Sequence, residues 1–202
     1  MVINKNRLIY SIILVVATAF WLIGMRLLLV EPESVHYHAN FAIYVDGVRD
    51  PLERFSFYEE ISACSPDNSN NPRSRVHLHD NNPYTVHVHD SAVTWGHLFA
   101  NLGYALSDTS LTTDAGLLVP KKSKQLRFVL NGKPTFSVAN TVINDEDVLL
   151  VDFSDSNEAT VLQRYSEIPR DAHEFDIKQD PAACAGSQAE TFMQRLERTI
   201  GW

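Results

Sequence analysis

Residues 76–90 read Val-His-Leu-His-Asp-Asn-Asn-Pro-Tyr-Thr-Val-His-Val-His-Asp, two His-x-His pairs on either side of a run of turn formers. Side chains on a β-strand alternate faces, so residues i and i+2 point the same way and the residue between them points oppositely. His77 and His79 therefore share one face while Val76, Leu78 and Asp80 take the other. His87 and His89 are likewise opposed to Val86, Val88 and Asp90. Each strand presents an imidazole face and an apolar face.

Asp80 to Val86 is rich in turn residues, which predicts an antiparallel hairpin. The two pairs are mirror-related about Pro83, so the expected register sets His77 opposite His89 and His79 opposite His87. Opposed residues have Cβ atoms about 4.5–5.5 Å apart, close enough for imidazoles to meet at one ion with bonds of about 2.0–2.1 Å.

A third pair, His36 and His38, opens the stretch VHYHANFAIYVDGV over 35–48. Here Tyr37, Ala39, Phe41, Ile43 and Val45 share one parity and His36, His38, Asn40, Ala42 and Tyr44 the other. Six of the chain's eight histidines thus fall in His-x-His pairs. Random placement gives about 0.3 such pairs, so the pattern is a selected feature.

Outward from these motifs, Leu8 to Met25 is an uninterrupted apolar run, extended past Arg26 to Val30. That length suffices to cross about 30 Å of hydrocarbon, with the arginine snorkelling. An A-x-A cleavage site at Ala17-Thr18-Ala19 is the competing reading, but Phe20-Trp21-Leu22-Ile23 carries the apolar run beyond it, which favours an uncleaved anchor. Lys5 and Arg7 before the span, with Glu31 and Glu33 after it, predict a cytoplasmic N-terminus and an extracytoplasmic remainder. Residues 31–202 hold 14 Lys and Arg against 25 Asp and Glu, a net charge of −11. With no basic stripe, nucleic acid is excluded as a partner, and the acidic surface serves solubility first.

The expected organisation is a tail at 1–7, a transmembrane anchor at 8–30, a β-rich His-x-His domain at 31–155 and a helical extension at 156–202. The fold class is α+β, mainly antiparallel, with a short helix and C-terminal helices. RFSFYEEIS over 54–62 reads as a short strand, and 65–74 as a polar loop with two prolines. Ser91 to Leu102 has helical spacing, with Ser91 as N-cap and Gly103 as the stop. Asn131-Gly132 marks a hairpin inside 124–138, and DEDVLLVDF over 145–153 a buried strand. NEATVLQRY (157–165) and SQAETFMQRLERTI (187–200) read as helices, the latter with Phe192, Leu196 and Ile200 against the sheet domain. Cys64 and Cys184 lie in the exported part and outside any CxxC. A structural disulfide between them closes about 120 residues and adds about 4–5 kcal/mol in the chain-entropy treatment.

The succession VHYHANFAIYVDG, VHLHD…VHVHD, TWGHLFANLG, LRFVLNGKPT and DEDVLLVDF resembles a family of uncharacterised, membrane-anchored prokaryotic proteins with repeated His-x-His motifs, over about residues 35–153. The resemblance implies that His36, His38, His77, His79 and His87 occupy the family's histidine positions. His89 falls where that pattern carries Glu. The element order over 76–153 also resembles a β-grasp arrangement, an analogy of fold alone.

Neutral imidazoles in such a cluster suit Zn or Cu(II). With methionine only at positions 1, 25 and 193 and no thiolate beside the histidines, Cu(I) and iron–sulfur chemistry are disfavoured. His36, His38, His77, His79, His87 and His89 are the expected ligands, with Asp80 and Asp90 able to orient rings from the loop ends. His97 reads as a packing or surface residue ahead of a ligand, and His173, among three acids, as a solvated one. Three functions fit: metal binding without catalysis, a His-ligated zinc hydrolase or lyase using Asp90 or a Glu of the early loop as acid or base, and a metal-free module docking an envelope protein. HExxH, GxSxG, P-loop and dinucleotide-binding signatures are all missing, which ranks non-catalytic metal binding first.

Overall fold

The computed structural model describes residues 5–29, 35–58, 71–79, 81–177 and positions 193, 196 and 199. In chain order its elements are α1 (Lys5–Leu29), β1 (Tyr37–Val45), β2 (Val48–Arg49), a 3-10 turn (Phe55–Phe57), α2 (Pro72–Arg75), β3 (Val76–Leu78), β4 (Thr85–Val88), α3 (Trp95–Asn101), β5 (Ala105–Leu106), β6 (Leu111–Thr113), β7 (Gly116–Leu118), β8 (Gln125–Leu130), β9 (Lys133–Thr135), β10 (Val148–Ser154), α4 (Glu158–Ser166) and α5 (Ala172–Ile177).

Two compact units divide the chain, Met1–Glu33 with Ser187–Trp202, and Ser34–Gly186. In the first, α1 is 25 residues long with no buried residue. At 1.5 Å per residue it is long and apolar enough to span a bilayer. Positions 193, 196 and 199 are helical. The packing expected of Phe192 and Ile200, and the pairing of Cys64 with Cys184, lie outside the described residues.

The second unit is built on a seven-stranded sheet of order β3-β4-β1-β10-β8-β9, with β2 paired to β1 through the Asp46-Gly47 turn. Every described pairing in it is antiparallel except β1 with β10, which run parallel at its centre. All seven residues of β10 are buried. That matches the reading of this stretch as a buried strand, apolar except for Asp152. The β8–β9 hairpin turns at Asn131 and Gly132, with φ of 52° and 77°, as the Asn-Gly pair requires. Strands β5 to β7, two or three residues each, form a separate three-stranded sheet that the sequence reading did not anticipate.

One sheet face carries Ala39, Phe41, Ile43, Val76, Leu78, Val86, Val88, Leu149 and Val151, packed against Trp95, Leu98 and Phe99 of α3. This is the apolar parity of the three histidine segments, removed from water at about 25 cal/mol per Å². α3 approaches the underlying loop closely: a Cβ on Gly96 would stand 2.6 Å from the Ala139 carbonyl oxygen.

The opposite face is divided. Its β10–β8 half is apolar, with Ala42, Val129, Val148 and Leu150 covered by Val161, Tyr165 and Ile168 of α4 and the turn after it. α4 is capped by Asn157, whose Oδ1 accepts from the Thr160 N–H. It therefore packs within the Ser34–Gly186 unit, although the sequence assigned it to a separate extension. Asp152, fully buried on β10, is neutralised by Arg164 at 2.5 Å and Arg127 at 3.3 Å, the pairing a buried charge requires. The other half of this face, on β1, β4 and β3, carries the histidines.

Two further expectations change. Of the strand expected over 54–62, the described part up to Tyr58 forms a 3-10 turn at Phe55–Phe57 and an isolated parallel bridge from Tyr58 to Leu78; residues 59–62 lie outside the described residues. The helix expected from Ser91 starts at Trp95, because Ala92 takes a positive φ of 58° and Val93 is buried, leaving Thr94 as the N-cap.

Candidate metal centre

The β3–β4 register differs from the mirror arrangement by two residues. His77 faces His87, with Val76 opposite Val88 and Leu78 opposite Val86. The turn sets this. Asn82 N–H donates to the His79 carbonyl at 2.8 Å, Asn81 takes a left-handed φ of 54°, and Asn82 Oδ1 accepts from Tyr84 N–H. These asparagine contacts tighten the loop at its start rather than about Pro83. A shift of two preserves the face of every side chain, so all four imidazoles stay together.

On the other side of β4, His38 of β1 also faces His87, and Asn40 faces Thr85. The three strands thus form rows across one face: His77, His87 and His38 in the middle, His89 with His36 on one side, and His79, Thr85 and Asn40 on the other. Ring centroids lie 4.3 Å apart for His38–His87, 4.7 Å for His36–His89, 4.8 Å for His36–His38, 5.0 Å for His79–His87, 5.1 Å for His77–His89 and 5.3 Å for His77–His79. His38, His77, His79 and His87 are 1 %, 2 %, 4 % and 4 % exposed. All six paired histidines converge on one patch.

His38 and His77 are held from outside the cluster. His38 Nδ1 lies 2.5 Å from Asp176 Oδ1, and its Nε2 is 3.0 Å from His87 Nδ1. His77 Nδ1 lies 2.8 Å from the carbonyl oxygen of Arg73, on α2. In the neutral ring that contact makes Nδ1 the donor and leaves the lone pair on Nε2. Pinning one nitrogen to an oxygen acceptor so that the other can bind is how metal-ligating histidines are oriented.

Asp176 was not foreseen. It sits on α5, a helix of six residues in the segment that reads as RDAHEFD. The helix is docked by the polar end of the face: Asp171 Oδ1 accepts from Asn40 Nδ2 at 2.7 Å and Thr85 Oγ1 at 2.9 Å, while Ala172 N–H donates to Asn40 Oδ1 at 3.1 Å. This brings Phe175 over His38 and His87, with centroids at 5.7 Å and 6.1 Å. Asn40 on the histidine parity of β1 was the visible signal; its partner 131 residues away was not.

Burial determines the protonation of the cluster. Desolvation, reinforced by neighbouring imidazoles, pushes His89 down to about 2 and displaces His87 downward too. Both are neutral at ordinary pH, the state that binds a metal. His89 Nε2 is buried with no hydrogen-bond partner among the described residues. Ligand nitrogens of His36, His38 and His87 all lie within 4.8 Å of one another, so this trio can hold a metal ion.

Other candidates fall elsewhere. Asp90, expected to orient a ring, binds Arg75 Nε at 2.5 Å instead, because the loop end turns its carboxylate toward α2. Asp80 lies outside the described residues. His97 belongs to a capping box: its N–H donates to Thr94 Oγ1 and its Nδ1 accepts from Thr94 N–H at 3.1 Å. His97→Ala is expected to cost about 1 kcal/mol in denaturant unfolding and to leave metal content unchanged. His173 is exposed and pairs with Glu146 at 2.9 Å; these two and Asp176 also bring ligand atoms within 4.8 Å of one another.

Fold and site together define a sheet domain whose one face is half apolar core and half buried imidazole. No family model, curated protein or solved structure matches this chain.

Proposed function

We propose that this protein is a membrane-anchored, extracytoplasmic metal-binding protein that holds Zn or Cu(II) on its clustered His-x-His pairs without catalysing a reaction. The observation that carries this reading is the convergence of six imidazoles, from three strands, on a single patch. Enclosing His89, whose buried Nε2 has no hydrogen-bond partner among the described residues, is costly. An unsatisfied buried polar group costs about 1–3 kcal/mol, whereas a structural zinc site returns about 10–16 kcal/mol. A metal is the ligand that offsets this expense.

The closed surroundings favour holding over catalysis. Catalytic zinc keeps an open coordination position for water or substrate, while structural sites are enclosed. Four of the six rings are almost completely buried, and Phe175 covers His38 and His87. A zinc hydrolase or lyase would need this cover removed. Membrane orientation rests on Lys5 and Arg7 before α1 and the acidic residues after it. A disulfide between Cys64 and Cys184 suits that compartment. What supports a β-grasp reading is the order β4-β1-β10-β8-β9, with a parallel central pair and α3 on one face.

The test is metal content of the untagged full-length chain in detergent, by mass spectrometry after dialysis against a weak chelator. Wild type should retain zinc or copper. His38→Gln with His87→Gln, which keeps bulk in the core, should lose at least tenfold in affinity. Wild type that retains no metal when dialysed from excess zinc and copper would overturn the reading.

A further inference from the structure

We propose that one ion per chain sits on His36, His38 and His87, and that Asp176 is the positioning residue that aims His38 at it, with His77 and His79 outside the coordination sphere. This rests on the metal-binding reading and names the ligands within it. Among the described residues, these are the three imidazoles whose ligand nitrogens all lie within 4.8 Å of one another. An imidazole lone pair lies in the plane of its ring, so rings that turn their faces to each other do not aim nitrogens at a common point. His38 stands edge-on to both partners, at 74° to His36 and 81° to His87. His77 is instead stacked on His87 at 6°, with centroids 5.9 Å apart.

Asp176 acts through His38. Its Oδ1 lies 2.5 Å from His38 Nδ1, while the other ring nitrogen, Nε2, lies 3.0 Å from His87 Nδ1. In the neutral ring the carboxylate accepts from Nδ1–H, which leaves the Nε2 lone pair directed into the trio. His38 is 1 % exposed and the Asp176 side chain 19 %, so little water competes for the contact. A hydrogen bond to an ionised acceptor is also about twice as strong as a neutral one. The helix that carries Asp176 has a second attachment, which touches no imidazole: Asp171 Oδ1 accepts from Asn40 Nδ2 and Thr85 Oγ1. α5 is therefore tied to the sheet without Asp176, and the contact with His38 can be removed separately from the docking of the helix.

Zinc per chain and zinc affinity, by competition with a chromophoric chelator in the untagged full-length protein in detergent, test this. Wild type should hold one zinc ion. Asp176→Asn should weaken its binding by about 10–100-fold, the usual effect of removing a carboxylate behind a ligand histidine. Asp171→Asn, which loosens the same helix away from the rings, should cost less than about tenfold. Nitrogen-15 spectra of the zinc-free protein should show His38 protonated at Nδ1 in wild type and in Asp171→Asn, and shifted toward the Nε2–H form in Asp176→Asn. Equal losses of affinity in the two variants, or an unchanged His38 tautomer, would overturn the positioning role. His77→Gln with His79→Gln should retain one zinc ion. So should Glu146→Gln with His173→Gln, which removes the other two members of the group that Asp176 forms with them. Zinc lost from either pair variant with native circular dichroism, or two ions in wild type, would overturn the ligand assignment and leave the metal-binding reading standing. Wild type without zinc would overturn both.

Discussion

Saturating zinc is expected to raise the thermal midpoint of the metal-free protein by about 8–16 °C, and a chelator to reverse the shift. A ligand that binds only the folded state stabilises it by RT ln(1 + [L]/Kd), about 4.1 kcal/mol at a thousandfold excess over Kd. For a domain of this size each kcal/mol moves the midpoint by about 2–4 °C. The unfolded chain scatters the three His-x-His pairs over some fifty residues, so it offers no comparable site. Differential scanning fluorimetry of the full-length chain in detergent, with and without zinc, reads the shift directly. In the His38→Gln, His87→Gln variant the shift should shrink to a few degrees. An equal shift in that variant would place the stabilising ion elsewhere.

Acid should unfold the metal-free protein far more readily than a fold of this size with ordinary surface histidines. Burial holds His89 neutral down to about 2, and His87 is displaced the same way, whereas both rings titrate near 6.5 in the unfolded chain. Below about 6.5 and above the folded values, the unfolded state binds more protons, so stability falls as pH falls. Each ring contributes about 1.4 kcal/mol per pH unit in that window. From pH 7 to pH 5 the loss is about 2 kcal/mol per ring, or about 4 kcal/mol for the two. Urea unfolding in the presence of a chelator at pH 7, 6 and 5 measures it. A flat profile across that range would show that the rings are more hydrated than their enclosure in the sheet implies.

The alternation of His and apolar residues made the two faces of β1, β3 and β4 legible, because strand parity is a local property that tertiary contacts rarely override. The β8–β9 hairpin and buried β10 were legible for the same kind of reason: Asn131-Gly132 has few conformations open to it, and Val148 to Phe153 is too apolar to be exposed. The register of β3 on β4 was misread by two residues, since the symmetry of the histidines about Pro83 said nothing of the contacts Asn81 and Asn82 make inside the turn. Asp176 escaped notice because six residues of α5 carry no periodic signal. Their helix is fixed by Asn40 and Thr85, more than eighty residues away in sequence. Asp90 was misassigned for a related reason, as a regular strand does not say where its last carboxylate turns. The placement of His36 and His38 beside the hairpin depended on strand order, which only the sheet β3-β4-β1 supplies.

The central claim is that imidazoles from β1, β3 and β4 bind a transition metal together. X-ray absorption at the zinc edge of the loaded full-length chain tests it most directly. The expected spectrum has a first shell of nitrogen at about 2.0–2.1 Å with at least three imidazole rings per ion in its outer-shell scattering. A first shell of oxygen alone, or of sulfur at about 2.3 Å, would contradict it.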